Sequence, residues 1–137
     1  MDDRPPPLLV VSGRRRPHEV MLLAVSVFLG LSYLAGAPRP GSVNAALPTA
    51  VVYGWAIALL ATGAAGLWAC FSRDTEEGLE LERGAMVAQT GALILYATIA
   101  VTSVGFAALI SATVVTGWAI ANAVRAVQIT RDLRGLR

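Results

Sequence analysis

Five carboxylates, Asp74, Glu76, Glu77, Glu80 and Glu82, fall within nine residues of this chain. Clustered carboxylates are the raw material of general acid–base catalysis and of hard-cation binding. Here no histidine accompanies them, and the stretch lacks the Asp/Asn/Gly spacing of a calcium loop. His18 is the only histidine and Cys70 the only cysteine. No catalytic triad, zinc site or internal disulfide can be assembled from them. Leu67-Trp68-Ala69-Cys70 has the outline of a lipoprotein box, but tryptophan is wrong at its position and the segment is internal. Phosphate-loop and dinucleotide fingerprints are missing. The sequence therefore predicts no catalytic, cofactor-binding or metal-binding residue, and a protein that is not an enzyme. The acidic stretch reads as the solvated start of a helix, with Asp74 and Glu77 at capping-box spacing.

What surrounds that stretch is apolar. From Gly84 to Val124 run 41 residues without one charged side chain, bounded by Arg83 and Arg125. A helical span of the hydrocarbon core takes about 20 residues, so the run is twice too long to cross once. It is expected to turn at Thr102-Ser103-Val104-Gly105, where glycine frees the backbone and the Ser103 hydroxyl can cap the next helix. The whole chain is 55% hydrophobic and 15% charged, with a mean hydropathy of +0.62. Such composition overrides the soluble-domain expectation for 137 residues.

Four spans follow, at about 20–35, 49–71, 84–102 and 106–124. The predicted fold class is all-α, a polytopic integral membrane protein with its four transmembrane helices arranged as two hairpins. Residues 1–17, with Pro5-Pro6-Pro7 and Arg14-Arg15-Arg16, are expected to be a disordered cytoplasmic tail. Residues 18–137 form the membrane domain; Pro17, just before it, suits the first helical position and Glu19 lies in the first turn. Arg14-Arg15-Arg16, the first apolar stretch and Ala35-Gly36-Ala37 imitate a cleaved signal peptide. Pro38 disfavours cleavage there, and further spans follow, so an uncleaved helix is the better reading. The segment 36–48 is proline-rich loop.

Orientation follows from the arginines, because the chain has no lysine. With four spans, ten of the eleven basic residues share one side with both termini, and only Arg39 lies on the other. Basic residues near span ends mark the cytoplasmic side, so both termini are expected inside a bacterial-type inner membrane. A short basic tail, Arg125, Arg131, Arg134 and Arg137, faces the acidic 72–83 loop on that side. Tyr33, Tyr53, Trp55 and Phe106 are expected near the outer interface, and Trp68, Phe71 and Trp118 near the inner one.

Within the spans, Gly54, Ala58, Thr62 and Gly66 recur every four residues, with Cys70 next. That row predicts a close helix contact of the small-xxx-small kind, within one subunit or between copies. Intramembrane hydroxyls are expected to bond their own helix or a neighbour. The amides of Gln89 and Asn122 need partners in lipid, and can bond each other or reach headgroup water. Both are expected near the cytoplasmic end.

Proton-coupled transporters require an ionisable group inside the membrane. Small multidrug transporters share the length and helix count, but rely on a glutamate embedded in their first helix; Glu19 sits at the edge instead. In small size, several spans, short loops, a basic tail and no enzymatic residues, the chain resembles phage holins. That resemblance implies a self-associating membrane permeabiliser. The alternatives are an accessory or scaffolding subunit of a membrane complex and, third, a small-solute channel or transporter. Partners are then the lipid bilayer and either further copies or another membrane protein, with no nucleic acid, since the net charge is only +2. The all-arginine, alanine- and glycine-rich composition points to a GC-rich bacterial or phage source.

Overall fold

A computed structural model of the chain describes residues 17–37, 47–72 and 76–136. The tail 1–16, most of the proline-rich loop, Asp74 with its expected cap, and Arg137 lie outside the described residues. Those described are almost all helical, with no strand among them. Helix α1 runs Pro17–Leu34, α2 Thr49–Phe71, α3 Glu76–Val104 and α4 Leu109–Leu136, with a short 3-10 turn, Gly105–Ala108, before α4. Pro17 opens α1, where its missing N–H is one that a first turn leaves unbonded anyway. Glu76 and Glu77 lie in the first turn of α3, favourable to its dipole.

The chain reverses at Gly105, whose φ of 67° places it in the left-handed region that side chains avoid. Val104 precedes the turn with no side-chain cap, and Ser103 remains in the last turn of α3. The reversal is thus a glycine turn and not a serine-capped one. By length and apolar composition three helical segments can cross a membrane: Pro17–Leu34, Thr49–Phe71 and the 60-residue stretch Glu76–Gly135. The third comprises α3, the turn and α4.

Helices α1 and α2 pack antiparallel at very short range. A Cβ on Gly30 would stand 2.8 Å from the Ala56 carbonyl oxygen, and one on Gly63 would stand 3.0 Å from the Leu23 carbonyl oxygen. Backbones approach this closely only where side chains are missing, as in membrane helix pairs held by dispersion. The buried positions of α2 are Val52, Ala56, Leu59, Gly63, Gly66 and Ala69. From Val52 to Gly66 they advance by four and three residues in turn, the seam that a left-handed helix pair buries, and Ala69 follows three further on.

The row Gly54, Ala58, Thr62 and Gly66 does not lie on that seam as a unit. Gly66 is buried against Leu23, Ala58 and Thr62 are half-buried, and Gly54 is exposed, with nothing within 4 Å of where a methyl would stand. Four residues advance 400° around a helix of 3.6 per turn, so each step rotates the row by about 40°. Over three steps Gly54 has left the face that Gly66 occupies.

Two apolar layers join all four helices. Leu23, Met86 and Ala126 form one, flanked by Leu67 and Cys70. Leu59, Leu93 and Ala119 form the other, flanked by Leu29, Trp55, Val115 and Trp118. Trp118 thus packs beside Leu59 and Leu93, in the same layer as Trp55. Trp55 stacks on Tyr96 with ring centroids 4.9 Å apart and lies 5.7 Å from Tyr33.

Candidate functional site

The most distinctive chemistry of the bundle is a ladder of polar groups in its interior. Ser26, Glu82, Gln89 and Asn122 are its buried polar side chains among the described residues. They sit where apolar residues would be expected from the helix seam, so each must find a partner or destabilise the fold.

The deeper rung joins three helices. Asn122 of α4 donates through Nδ2 to Oε1 of Gln89 on α3 at 3.1 Å. Gln89 donates in turn through Nε2 to the hydroxyl of Ser26 on α1. Ser26 donates to the Leu22 carbonyl one turn back at 2.9 Å, which ends the chain on its own helix. Ser26 thus acts as relay, accepting from Gln89 and donating to backbone. The expected pairing of Gln89 and Asn122 is present. Ser26 joins them from the middle of α1. Nearby, the Thr90 hydroxyl donates to Met86 on its own helix at 2.8 Å and reaches the Ala119 carbonyl across the hairpin at 3.4 Å.

The outer rung is ionic. Arg125 Nε donates to Glu82 Oε1 at 2.7 Å and stands 3.6 Å from Glu19 Oε2. The side chains of Glu82, Glu19 and Arg125 are 7%, 14% and 20% exposed. Two carboxylates from α1 and α3 thus share one guanidinium from α4. Burial works against the Arg125 charge, and the Glu82 hydrogen bond with the charges of Glu82 and Glu19 offsets it.

This placement divides the basic tail. Arg125 turns inward and is committed to the bundle, whereas Arg131 and Arg134 are exposed. The acidic stretch divides likewise, with Glu82 buried while Glu76, Glu77 and Glu80 are exposed. Spacing along α3 gave a hint of this, since Glu82 and Gln89 lie seven residues apart on one face. Glu19 and Ser26 repeat that spacing on α1. Asn122 and Arg125, one turn apart on α4, complete both rungs.

Beyond the ladder the interior is apolar. The indole N–H groups of Trp55 and Trp118 are buried there and meet no acceptor among the described residues. No group of three or more metal-ligating side chains occurs among the described residues. Set against known protein families, curated proteins and solved structures, the chain matches none.

Proposed function

We propose that the chain is a non-enzymatic integral membrane protein of four spans that acts by lateral assembly of copies, permeabilising a bacterial inner membrane as phage holins do. In this reading α3 and α4 each cross once, so the two hairpins keep both termini cytoplasmic. The inward bonds that Arg125 donates to Glu82 and Asn122 donates to Gln89 support it, because they pair α3 with α4 in antiparallel register. The arginine distribution supports the orientation.

The observation that carries the functional reading is the closed interior. The buried polar side chains bond one another or their own helix, and Leu59, Leu93, Ala119 and Trp118 fill the next layer. A single bundle thus offers a solute no continuous polar path. Its outer surface is apolar, with Phe106, Ile110, Val114 and Ile120 strongly exposed. Permeability then has to arise between copies, through association that needs no cofactor.

A second reading, the accessory subunit, draws support from the charged end. There α3 and α4 present Glu76, Glu77, Arg131 and Arg134 outward, over Ile129 and Leu133, which remain buried. Such an end suits contact with another protein.

Expression in a bacterium with a potential-sensitive dye separates the two. Assembly predicts a sharp collapse of membrane potential above a threshold amount of protein, with cross-linked oligomers appearing first. Abundant protein in the membrane with potential and growth untouched would reject permeabilisation and leave the accessory reading.

A further inference from the structure

We propose that Arg131 and Arg134 form a binding site for the phosphate of anionic phospholipid headgroups on the outward face of α4. The inference rests on the membrane-spanning reading of α4. Three observations carry it.

The first is direction. At 100° per residue, Ile120, Val124, Val127, Arg131 and Arg134 lie along one meridian of α4. Ile120, Val124 and Val127 are 59%, 52% and 51% exposed. The opposite face, Asn122, Ala126, Ile129 and Leu133, is buried against the bundle. Arg131 and Arg134 therefore continue the stripe that faces lipid, and do not point toward the other helices.

The second is depth. Arg131 stands about 10 Å and Arg134 about 15 Å along the axis beyond Val124, the last residue of the charge-free run. The polar headgroup layer is only about 5–7 Å thick on each side of the hydrocarbon. Both backbone positions lie past it, and the long arginine side chains bend back toward it.

The third is charge. Arg125 is neutralised by Glu82 and Glu19, whereas neither Arg131 nor Arg134 makes an ion pair among the described residues. Asp132 points about 100° away from Arg131 around the helix. Two adjacent guanidinium forks on a lipid-facing stripe match phosphate oxygens in shape and charge.

The test uses the full chain inserted in vesicles of equal phosphatidylcholine and phosphatidylglycerol, extracted gently and analysed for retained lipid. Resistance to carbonate extraction checks insertion separately. The wild type is expected to retain phosphatidylglycerol over phosphatidylcholine by about thirtyfold, the scale that two arginines near an anionic surface provide. Arg131→Gln/Arg134→Gln should lose that preference, and Arg131→Lys/Arg134→Lys should keep most of it. Inorganic phosphate added during extraction should not displace the lipid. An inserted wild type without the preference, or a glutamine double variant that keeps it, would overturn the inference and leave the membrane reading intact. Displacement by phosphate alone would overturn it as a lipid site. A chain that fails to insert would overturn both.

Discussion

Gln89 and Asn122, 33 positions apart in the chain, share a hydrogen bond of 3.1 Å in the buried interior. This bond fixes the register of α3 against α4, and Gln89 extends it to Ser26 on α1. Two amides and one hydroxyl thus bind three helices at one height. A one-residue slip of any of them would strand a donor or acceptor in an apolar layer.

Gln89→Leu should therefore destabilise the chain in detergent by about 1–3 kcal/mol, the cost of leaving buried polar groups unbonded. The triple variant Ser26→Ala/Gln89→Leu/Asn122→Leu should lose less than the sum of its single changes, since no polar group remains to be orphaned. Thermal unfolding of the wild type, the three single variants and the triple variant checks both expectations. Strict additivity would mean that the three residues do not act as one network.

The ion pair sets a similar contrast among arginines. Arg125→Gln leaves the buried Glu82 carboxylate beside Glu19 with no guanidinium. Breaking a buried pair costs about 3–5 kcal/mol, and the partial exposure of Arg125 favours the lower end. Arg131→Gln and Arg134→Gln remove exposed charges and should each cost about 0.5 kcal/mol or less in neutral detergent. Equal losses at the three positions, measured by unfolding, would contradict the division of the tail into one inward and two outward arginines.

Much of this arrangement is legible in the sequence. The charge-free run from Gly84 to Val124 requires a reversal near Gly105, and antiparallel pairing of that run brings Gln89 opposite Asn122. The capture of Ser26 was not legible, because a serine in a helix ordinarily satisfies itself on its own backbone, and Ser26 does that as well. The inward turn of Arg125 was hidden for another reason. A charge at the edge of an apolar run can face lipid, water or a neighbouring helix, and only the placement of Glu82 and Glu19 decides between them. The row Gly54, Ala58, Thr62 and Gly66 does not form the α1–α2 contact as a unit, because a strict four-residue step drifts around a helix. The real contact uses the four-three alternation through Ala56, Leu59, Gly63 and Gly66.

That correction yields a graded series of glycine substitutions. Gly30→Ala drives a methyl to 2.8 Å from the Ala56 carbonyl oxygen, a backbone atom that can yield only if the helices separate. Overpacking of this kind costs about 1–3 kcal/mol. Gly66→Ala meets the Leu23 methyl Cδ2 at 2.6 Å, the mobile end of a side chain, and should cost less. Gly54→Ala meets nothing within 4 Å and should be neutral or slightly stabilising through higher helix propensity. Melting temperatures in one detergent should rank the variants in that order, with Gly30→Ala lowest. A neutral Gly30→Ala would mean that α1 and α2 are not in this close contact.

The two-hairpin membrane arrangement underlies every functional statement made above, and cysteine labelling in intact cells tests it most directly. In a Cys70→Ser background, single cysteines replace Ser103 at the tip of the α3–α4 hairpin and Gly135 near the end of α4; both positions are exposed. A maleimide that cannot cross the membrane, added to intact spheroplasts with the potential still standing, should label position 103 and leave position 135 unlabelled until the cells are opened. Labelling of position 135 from outside, or protection of position 103 from outside with reaction only after lysis, would contradict the account.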